Sequence, residues 1–507
     1  MTTDKSRNEL FDSFAAASGG RAYEQSLHRM GDGACFMART ASGKRLVIVG
    51  GDTGGFEGQA GPDGKYGGGL KPSLVCELSK ANAEALRGRY GELKAAPIGK
   101  RPSFGCGDRL GPAAPAHIRA CASRGVIPIL AQQSVRELER TQRTAQEVMD
   151  CATWGAFQEG FSQVFGADAD HLKQEKAVDG YAAAGFTMYT IDPSDFVNDA
   201  AATMPVGDLE KAYRSLREAE RYDRDYAGRD FTVGVSSERQ AITVRPEDLK
   251  AAAVCYGRAL PRVRELYEYI RGKVGSDEFD LEVSVDETST PTTPAAHLFI
   301  AMELKRMEVP TDSLALRFCG EFQKAVDYRG NTAEFEKQLV LHAAIAKQFG
   351  YKISVHSGSD KFAIYPLLGK VSPGAFHVKT AGTSYLEALR LVARRAPALF
   401  RSILSYAFER FAEDRASYHV TTNLSVVPKP NELADGDLEG LLSEDNARQL
   451  LHITYGSVMT VRNADGGYRF RNDVMRTLDE FEDEHYEIVA AHIGRHLELL
   501  GPAVVEG

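Results

Sequence analysis

The segment GYKISVHSGSDK, residues 350–361, shows the pattern on which the fold prediction rests. Its apolar run ISV (353–355) predicts a short buried strand, and His356 stands at the end of that strand. The turn-forming residues SGSD (357–360) follow, and Lys361 closes the segment. α/β enzymes typically deliver functional groups from strand ends into glycine- and serine-rich loops. A hydrogen-bonded structural histidine at a strand end is the alternative interpretation of His356.

Similar strand-like runs recur from residue 100 onward, separated by stretches with helical spacing. The predicted strands are 103–108, 126–131, 166–172, 186–191, 281–286, 313–318, 352–356 and 375–379. Their spacing is typical of βα units joined by short loops. Eight such units predict a (β/α)8 barrel of the TIM type, with a doubly wound sheet as the alternative. The run YHVTTNLSVV (418–427) would replace the weak strand at 166–172 or lie outside the ring.

Together with the segments on either side of the barrel, the sequence predicts three structural parts of the chain. Residues 1–97 form a small N-terminal α+β segment, 98–430 the catalytic barrel with a helical insertion around 198–275, and 431–507 a helical C-terminal extension. In the first part, GACFMART (33–40) and KRLVIVGG (44–51) predict a hairpin. The glycine-rich residues 51–69 predict a loop, because they lack the spacing of a phosphate-binding motif. Residues 74–93 show helical spacing.

The composition excludes several classes of protein. With 507 residues, 43% hydrophobic and 26% charged, the chain is typical of a globular protein. The net charge of −9 argues against nucleic acid as a partner. No segment approaches the roughly 18 apolar residues of a membrane span, and no signal-peptide core follows the polar start. The seven scattered cysteines never form C-x-x-C, so we expect a cytoplasmic protein. A homo-oligomeric assembly is possible on the sequence alone.

Ionisable side chains collect at the predicted carboxyl ends of the strands. They are Asp108, Arg109, Asp170, His171, Asp192, Glu282, Asp286, Glu287, Glu321, His356 and Lys379. Because these ends meet at one barrel mouth, the histidines and carboxylates would converge as ligands for a divalent cation. A hydrogen-bonded rim without metal is the alternative, since no H-E-x-x-H motif is present. A dinucleotide fingerprint at Gly105-Cys106-Gly107 fails, because Leu110 occupies the position of the third glycine.

Alternation along the strand LEVSVDET (281–288) places Glu282 on the same face as Ser284 and Asp286, which we take as the barrel interior. An interior carboxylate is costly unless it is paired or bound, which favours a catalytic role. His377 begins its strand and is a reserve ligand, and Glu287 is another reserve site residue.

Several long blocks, in one order between residues 100 and 430, resemble the tagaturonate epimerase family. They are FGCGDRLG, GADADHLK, FTMYTIDPSD, EVSVDETSTPTTP, RFCGEFQK, ISVHSGSDKF, HVKTAGTSYLEALR and YHVTTNLS. The resemblance implies a metal-dependent epimerase that interconverts D-tagaturonate and D-fructuronate in hexuronate breakdown. It places a divalent metal (zinc, manganese, nickel or iron) on His171, Glu321 and His356, and the proton-transfer pair on Asp170 and Glu282. The cations Arg109, Lys361 and Lys379, on or near the rim, are candidates for binding a carboxylate or phosphate of the substrate, with a salt-bridge role as the alternative for each.

The chemistry of these sugars narrows the mechanism. They differ at a hydroxyl-bearing carbon that is β to both the ketone and the carboxylate, so enolisation cannot invert it. Retro-aldol cleavage and re-formation can, with Asp170 as the base, Glu282 as the opposing acid/base and the metal as a Lewis acid. Transient oxidation by a nicotinamide competes, but the failed fingerprint counts against it. The alternative functions are a metal-dependent aldolase or ketose isomerase acting on another sugar, and a non-catalytic sugar-acid sensor.

Overall fold

The computed structural model describes residues 4–50, 52–61, 72–122, 124–235, 238–243 and 245–501. The chain begins with helix α1 (Asp4–Ser18) and the strands β1 (Arg21–Ala22), β2 (His28–Met30), β3 (Gly33–Thr40), β4 (Gly43–Val49) and β5 (Pro72–Cys76). These strands form one antiparallel sheet in the order β1-β3-β4-β5, with β2 also paired to β3. Leu10 and Phe14 of α1 pack on Phe36 and Val47 of the sheet.

The predicted hairpin is confirmed as β3 and β4, in which Ala34 pairs with Val49. The helical interpretation of residues 74–93 is wrong in its first part, because β5 extends the sheet by pairing with β4. Helix α2 (Lys80–Arg89) begins only after Ser79, whose side chain accepts a hydrogen bond from the Asn82 backbone N–H. Part of the glycine-rich segment, residue 51 and residues 62–69, lies outside the described residues.

The next strands close into a barrel. They are β6 (Ser103–Cys106), β7 (Ile127–Ser134), β8 (Gly166–Leu172), β9 (Met188–Ile191), β12 (Asp280–Val285), β13 (Ser313–Leu316), β14 (Lys352–Val355) and β15 (Phe376–Thr380), while β10 (Asp230–Val235) and β11 (Glu238–Thr243) form a separate hairpin. Each barrel strand pairs in parallel with the next along the chain, and β15 returns to β6. The eight predicted strands are therefore confirmed, and the doubly wound alternative is wrong. The run at 418–427 contains a single 3-10 turn, Leu424–Val426, and no strand.

Helices surround the barrel and complete the C-terminal part. They are α3 (Ala114–Cys121), α4 (Val135–Thr141), α5 (Ala145–Gln158), α6 (Glu175–Ala183), α7 (Val206–Arg214), α8 (Ala219–Asp225), α9 (Pro246–Tyr256), α10 (Ala259–Val274), α11 (Pro294–Arg306), α12 (Thr332–Phe349), α13 (Tyr365–Val371), α14 (Thr383–Arg395), α15 (Pro397–Asp414), α16 (Asp445–Ile453), α17 (Tyr455–Thr460), α18 (Arg471–Glu480) and α19 (Glu482–Leu500). None of these helices is both long and apolar enough to cross a membrane.

Two large apolar clusters hold these helices. One surrounds the barrel and includes Phe104 and Leu316, and the other joins α14 and α15 to the helices after residue 445 through side chains such as Leu389 and Leu450. The segment 198–275 contains helices α7 to α10 and also the antiparallel hairpin β10–β11. Its β-branched run FTVGV (231–235) explains the strand. The boundaries of the three parts stay a prediction.

Gly369 of α13 gives a test of how the last helix docks. A Cβ at this position would overlap the carbonyl oxygen of Leu500, at the end of α19. We expect Gly369→Ala to lower the free energy of unfolding by about 1–3 kcal/mol, because the backbones must separate. The control is Gly180→Ala in α6, where nothing lies within 4 Å of the added atom. We expect Gly180→Ala to gain about 0.4–1 kcal/mol. Urea unfolding measures the free energy of unfolding of both variants. Equal changes in the two variants would contradict the close contact between Gly369 and Leu500.

Candidate active site

A cavity opens at the carboxyl ends of the barrel strands. It is lined by Arg109, Gln132, Ser134, Arg136, Glu137, Asp170, His171, Lys324, His356, Ser357, Ser359, Lys379, Ala381, Gly382, Tyr418 and His452. Most of these side chains are polar or charged. The lining residues come from β7, β8 and β15, from α4 and α16, and from the segments that follow β6, β13, β14, β15 and α15. The mouth of the barrel therefore gathers residues that lie far apart in sequence.

Lys379 lies at the centre of the buried charges below this cavity. Its Nζ is 2.7 Å from Asp168 Oδ2, 2.7 Å from Asp170 Oδ1 and 2.9 Å from Glu282 Oε1. Burial would lower the pKa of Lys379, but these three carboxylates outweigh it and raise that pKa well above its ordinary value. One ammonium group thus holds three carboxylates, and the cluster keeps an excess of negative charge.

The ionisation of Asp170 follows from its neighbours. Burial would raise the pKa of this carboxyl, but Lys379, His171 and His356 outweigh it and hold the pKa below its usual range. Asp168 differs, because its burial dominates and raises its pKa to about 6. Asp170 lines the cavity, whereas Asp168 lies beneath it and accepts a hydrogen bond from Thr190 at 2.8 Å. Asp170 is therefore the ionised carboxylate of this pair that faces the cavity.

Both histidines of the mouth are held by carboxylates. His356 Nε2 lies 2.6 Å from Glu282 Oε1, and its Nδ1 lies 3.3 Å from Asp286 Oδ1. His171 Nδ1 lies 3.1 Å from Asp192 Oδ2, and the two imidazole centroids are 5.0 Å apart. Burial would lower the pKa of His356, but Asp286 and Glu282 outweigh it and raise the pKa to about 10.

Two residues that line the cavity have left-handed backbone conformations. His171 has a φ of 53° and Ser357 a φ of 50°. Such conformations are strained for side-chain-bearing residues and persist only where the surroundings enforce them. In β8 the strain coincides with a break in the register to β9, between Ala169 and Leu172. The local backbone is thus distorted where it aims the imidazole of His171.

One group of side chains fits a divalent metal. His171, Asp286 and His356 each offer one ligand atom, and these three atoms lie within 4.8 Å of one another. Nitrogen and carboxylate donors suit zinc, manganese, iron or nickel. Ligating histidines commonly use their second nitrogen to contact a carboxylate, as His171 does with Asp192. A second group, of His171, Asp192 and Glu287, shares His171 and brings the reserve residue Glu287 to the same rim.

A third group, of Asp360, His492 and His496, has the spacing but not the free atoms of a metal site. His496 Nε2 accepts a hydrogen bond from the Asp360 backbone N–H, and its Nδ1 donates to the carbonyl oxygen of His492. Both nitrogens of His496 are therefore occupied. Asp360 is also 2.6 Å from Arg448 Nη2, so the group is a structural network that fixes the loop after β14.

The structure brings five of the eight predicted site residues together: Asp170, His171, Glu282, His356 and Lys379. Glu282 is fully buried below the cavity and does not line it, since Ser313 Oγ, His356 and Lys379 surround its carboxylate. Arg109 lines the cavity, but its Nε lies 2.9 Å from Glu137 Oε1 and its guanidinium lies over the Tyr455 ring.

Two predicted site residues, Glu321 and Lys361, lie apart from this cluster. Glu321 stands five residues beyond the end of β13, in a loop where its Oε2 contacts the exposed His419 at 3.0 Å. It therefore does not join the group of His171, Asp286 and His356. Lys361 is buried, and its Nζ donates to the carbonyl oxygens of Gln323, Val326 and Ser359. Its charge holds the loop and does not face the cavity.

His377, the reserve ligand, also lies apart from the group. Its Nδ1 is 2.8 Å from Ser103 Oγ, and burial lowers its pKa to about 3. Sequence reasoning missed Asp168, although its alternation with Asp170 along β8 was a usable signal. It also missed Lys324, which lies in an irregular loop between β13 and α12 and carries no periodic pattern.

Comparisons with known proteins agree with this architecture. A family model described as tagaturonate epimerase matches residues 23–500. The chain is 44% identical over 488 residues to the tagaturonate/fructuronate epimerase of Thermotoga maritima, covering 95% of this chain and 97% of that protein. It is 39% identical to the native crystal structure of the fructuronate-tagaturonate epimerase of Cohnella laeviribosi, with a TM-score of 0.90 and coverage of 96% and 97%. The chain is 40% identical to a crystal structure of that enzyme in complex with one glycerol, with a TM-score of 0.90. The match covers 95% of this chain and 96% of that one.

The closed barrel, its charged mouth and these similarities define the class of protein as a (β/α)8-barrel enzyme, a carbohydrate epimerase. Because the family model spans nearly the whole chain, the particular family is also clear. The chain belongs to the tagaturonate epimerase family, as the sequence resemblance predicted.

Proposed function

We propose that this protein interconverts D-tagaturonate and D-fructuronate, so that its partner is a sugar acid. The observation that carries the proposal is the near-complete alignment with an enzyme named for this reaction, at 44% identity. The site is compatible with it, because one cavity combines an ionised carboxylate, two carboxylate-held histidines and several cations. We also propose a cytoplasmic location, supported by seven cysteines that are all free thiols.

We further propose that the reaction depends on a divalent metal held by His171, Asp286 and His356. A bound cation would supply Lewis-acid polarisation of the substrate oxygens. The support is the donor set itself and the carboxylates behind both imidazoles, Asp192 behind His171 and Glu282 behind His356. Glu282 then acts as a positioning residue that fixes the His356 ring, in place of the acid/base role that the sequence suggested.

The proposed reaction is a retro-aldol cleavage followed by re-formation of the same bond. Asp170 removes the proton of the hydroxyl on the carbon β to the ketone. The C–O electron pair forms the aldehyde as the bond to the α carbon breaks, and the released pair is delocalised into the ketone as an enediolate. The aldehyde then turns its other face, the bond re-forms, and Asp170 returns the proton. Lys379 stabilises Asp170 in the ionised form that accepts this proton.

Incubation of the protein with D-fructuronate, followed by NMR, tests the proposed function. We expect signals of D-tagaturonate to appear until both sugars reach a constant ratio, and the same ratio to form from D-tagaturonate. Accumulation of three-carbon fragments would instead indicate an aldolase. Binding of both sugars without conversion would indicate a sensor and would overturn the proposal.

Metal removal tests the proposed ligand set. We expect a chelator to abolish interconversion and added Mn²⁺ or Zn²⁺ to restore it. We expect Asp286→Ala and His356→Ala to lose bound metal, measured by elemental analysis, because each removes a ligand atom of the group. Glu321→Ala is the matched control and should retain its metal, since that carboxylate contacts His419. Metal loss in Glu321→Ala with retention in Asp286→Ala would show that Glu321 is the ligand.

A further inference from the structure

The cations at the mouth differ in how fully they are paired. Lys379 contacts three carboxylates, and Arg109 is paired with Glu137. Lys324 is half-buried, and its Nζ donates to Ser357 Oγ at 2.8 Å. Within the described ranges, no carboxylate oxygen lies within 4.0 Å of that ammonium. Among the described residues, Lys324 therefore points its ammonium at the cavity with no carboxylate in direct contact, and Asp286, Glu137 and Glu287 act on its charge only from a longer distance.

Arg136 is the second cation of this kind. It lies in the first turn of α4, and its nearest ion-pair partner among the described residues is Glu287, with Nη2 3.7 Å from Oε1. Its guanidinium carbon lies 5.4 Å from the centre of the Tyr418 ring, and Tyr418 also lines the cavity. At 3.7 Å, Glu287 is too far to form a charge-assisted hydrogen bond, so the donors of Arg136 remain available to a ligand.

Lys324 and Arg136 both line this cavity, and the charge of Arg136 acts on Lys324. Burial, and after it the positive charge of Arg136, lower the pKa of Lys324. Two like charges that line one cavity repel each other, and an anion bound between them would offset this electrostatic repulsion. The two side chains come from separate elements, the loop after β13 and the start of α4, so local helix geometry does not explain why they converge.

We propose that Lys324 and Arg136 bind the carboxylate of the sugar-acid substrate and select uronates over neutral ketoses. This inference rests on the proposed function for the identity of the ligand. Ser357, which contacts Lys324, directly follows His356 in the chain. A carboxylate held there lies beside the proposed metal ligands, which suits a substrate whose reacting carbon is β to the carboxylate. Arg109, Lys361 and Lys379 are then structural cations.

Steady-state kinetics and inhibition test the proposal. The variants are Lys324→Gln, Arg136→Gln and the charge-conserving Lys324→Arg, with Lys337→Gln on the exposed face of α12 as the control. The probes are D-gluconate, which carries a carboxylate, and its neutral counterpart D-glucitol. We expect Lys324→Gln to raise KM for D-fructuronate about 10- to 100-fold, the loss of one charge-assisted hydrogen bond, with kcat changed by less than about threefold.

Inhibition by D-gluconate should weaken by the same factor in Lys324→Gln, remain largely intact in Lys324→Arg and be unchanged in Lys337→Gln. Inhibition by D-glucitol should not change. If Lys324→Gln keeps the wild-type KM and D-gluconate affinity, the subsite is overturned and the proposed function stands. If the wild type binds D-gluconate through Lys324, measured by calorimetry, but converts no hexuronate, the subsite stands and the proposed function fails. Absence of both activity and D-gluconate binding overturns both.

Discussion

An Asp170→Asn variant is expected to lose hexuronate interconversion by a factor of about 10²–10⁴, the contribution of a positioned general base. The physical reason is that Asp170 lines the cavity, and Lys379 and both histidines keep its carboxyl ionised. An amide of the same shape cannot accept a proton. Because an amide oxygen can still accept the Lys379 hydrogen bond, we expect the loss to appear in kcat, measured by NMR or a coupled assay, with little change in KM.

The control is Asp195→Asn, which removes a carboxylate from the same side of the barrel but outside the cavity. Asp195 is largely exposed and pairs with Lys173 at 3.2 Å. We expect wild-type turnover in this variant, and a metal content in Asp170→Asn equal to that of the wild type. If Asp170→Asn retains more than about a tenth of the wild-type kcat, a different group removes the hydroxyl proton.

The barrel was predictable because most of its strands combine a short apolar run with a polar residue at or near the end. His356 illustrates this, since β14 ends at Val355 and the imidazole follows at once. The prediction from sequence fails where the chain leaves the strand. Glu321 looks like a strand-end residue, but β13 ends at Leu316, and the loop then pairs Glu321 with Arg329. A separation of five residues is enough to carry a side chain away from the mouth.

The cations show a second limit of sequence reasoning. A lysine has the same appearance in sequence whether its ammonium binds a substrate, a carboxylate cluster or backbone carbonyls. Lys379 and Lys361 each contact three partners, and these partners identify both lysines as structural cations. Lys324 differs from them in its partner, Ser357, and this difference makes it a candidate for binding the substrate. Partners that are distant in the chain decide the role of each charge, and periodicity contains no information about them.

Lys379→Met is expected to lower the free energy of unfolding by about 3–5 kcal/mol, as measured by urea unfolding, because it leaves buried carboxylates without their counter-charge. Asp168, Asp170 and Glu282 are each at most 5% exposed, so water cannot replace the ammonium. The surface variant Lys337→Met should change stability by less than about 0.5 kcal/mol.

A double variant separates loss of charge from loss of packing. Asp168→Asn removes one of the three carboxylates at a position beneath the cavity. If repulsion among carboxylates causes the instability, adding Asp168→Asn to Lys379→Met should restore part of the lost stability, although Asp168→Asn alone destabilises the wild type by removing an ion-pair partner. If packing causes it, the two effects should simply add. Additivity would mean that the Lys379 side chain matters for its volume, and that the three carboxylates are accommodated without its charge.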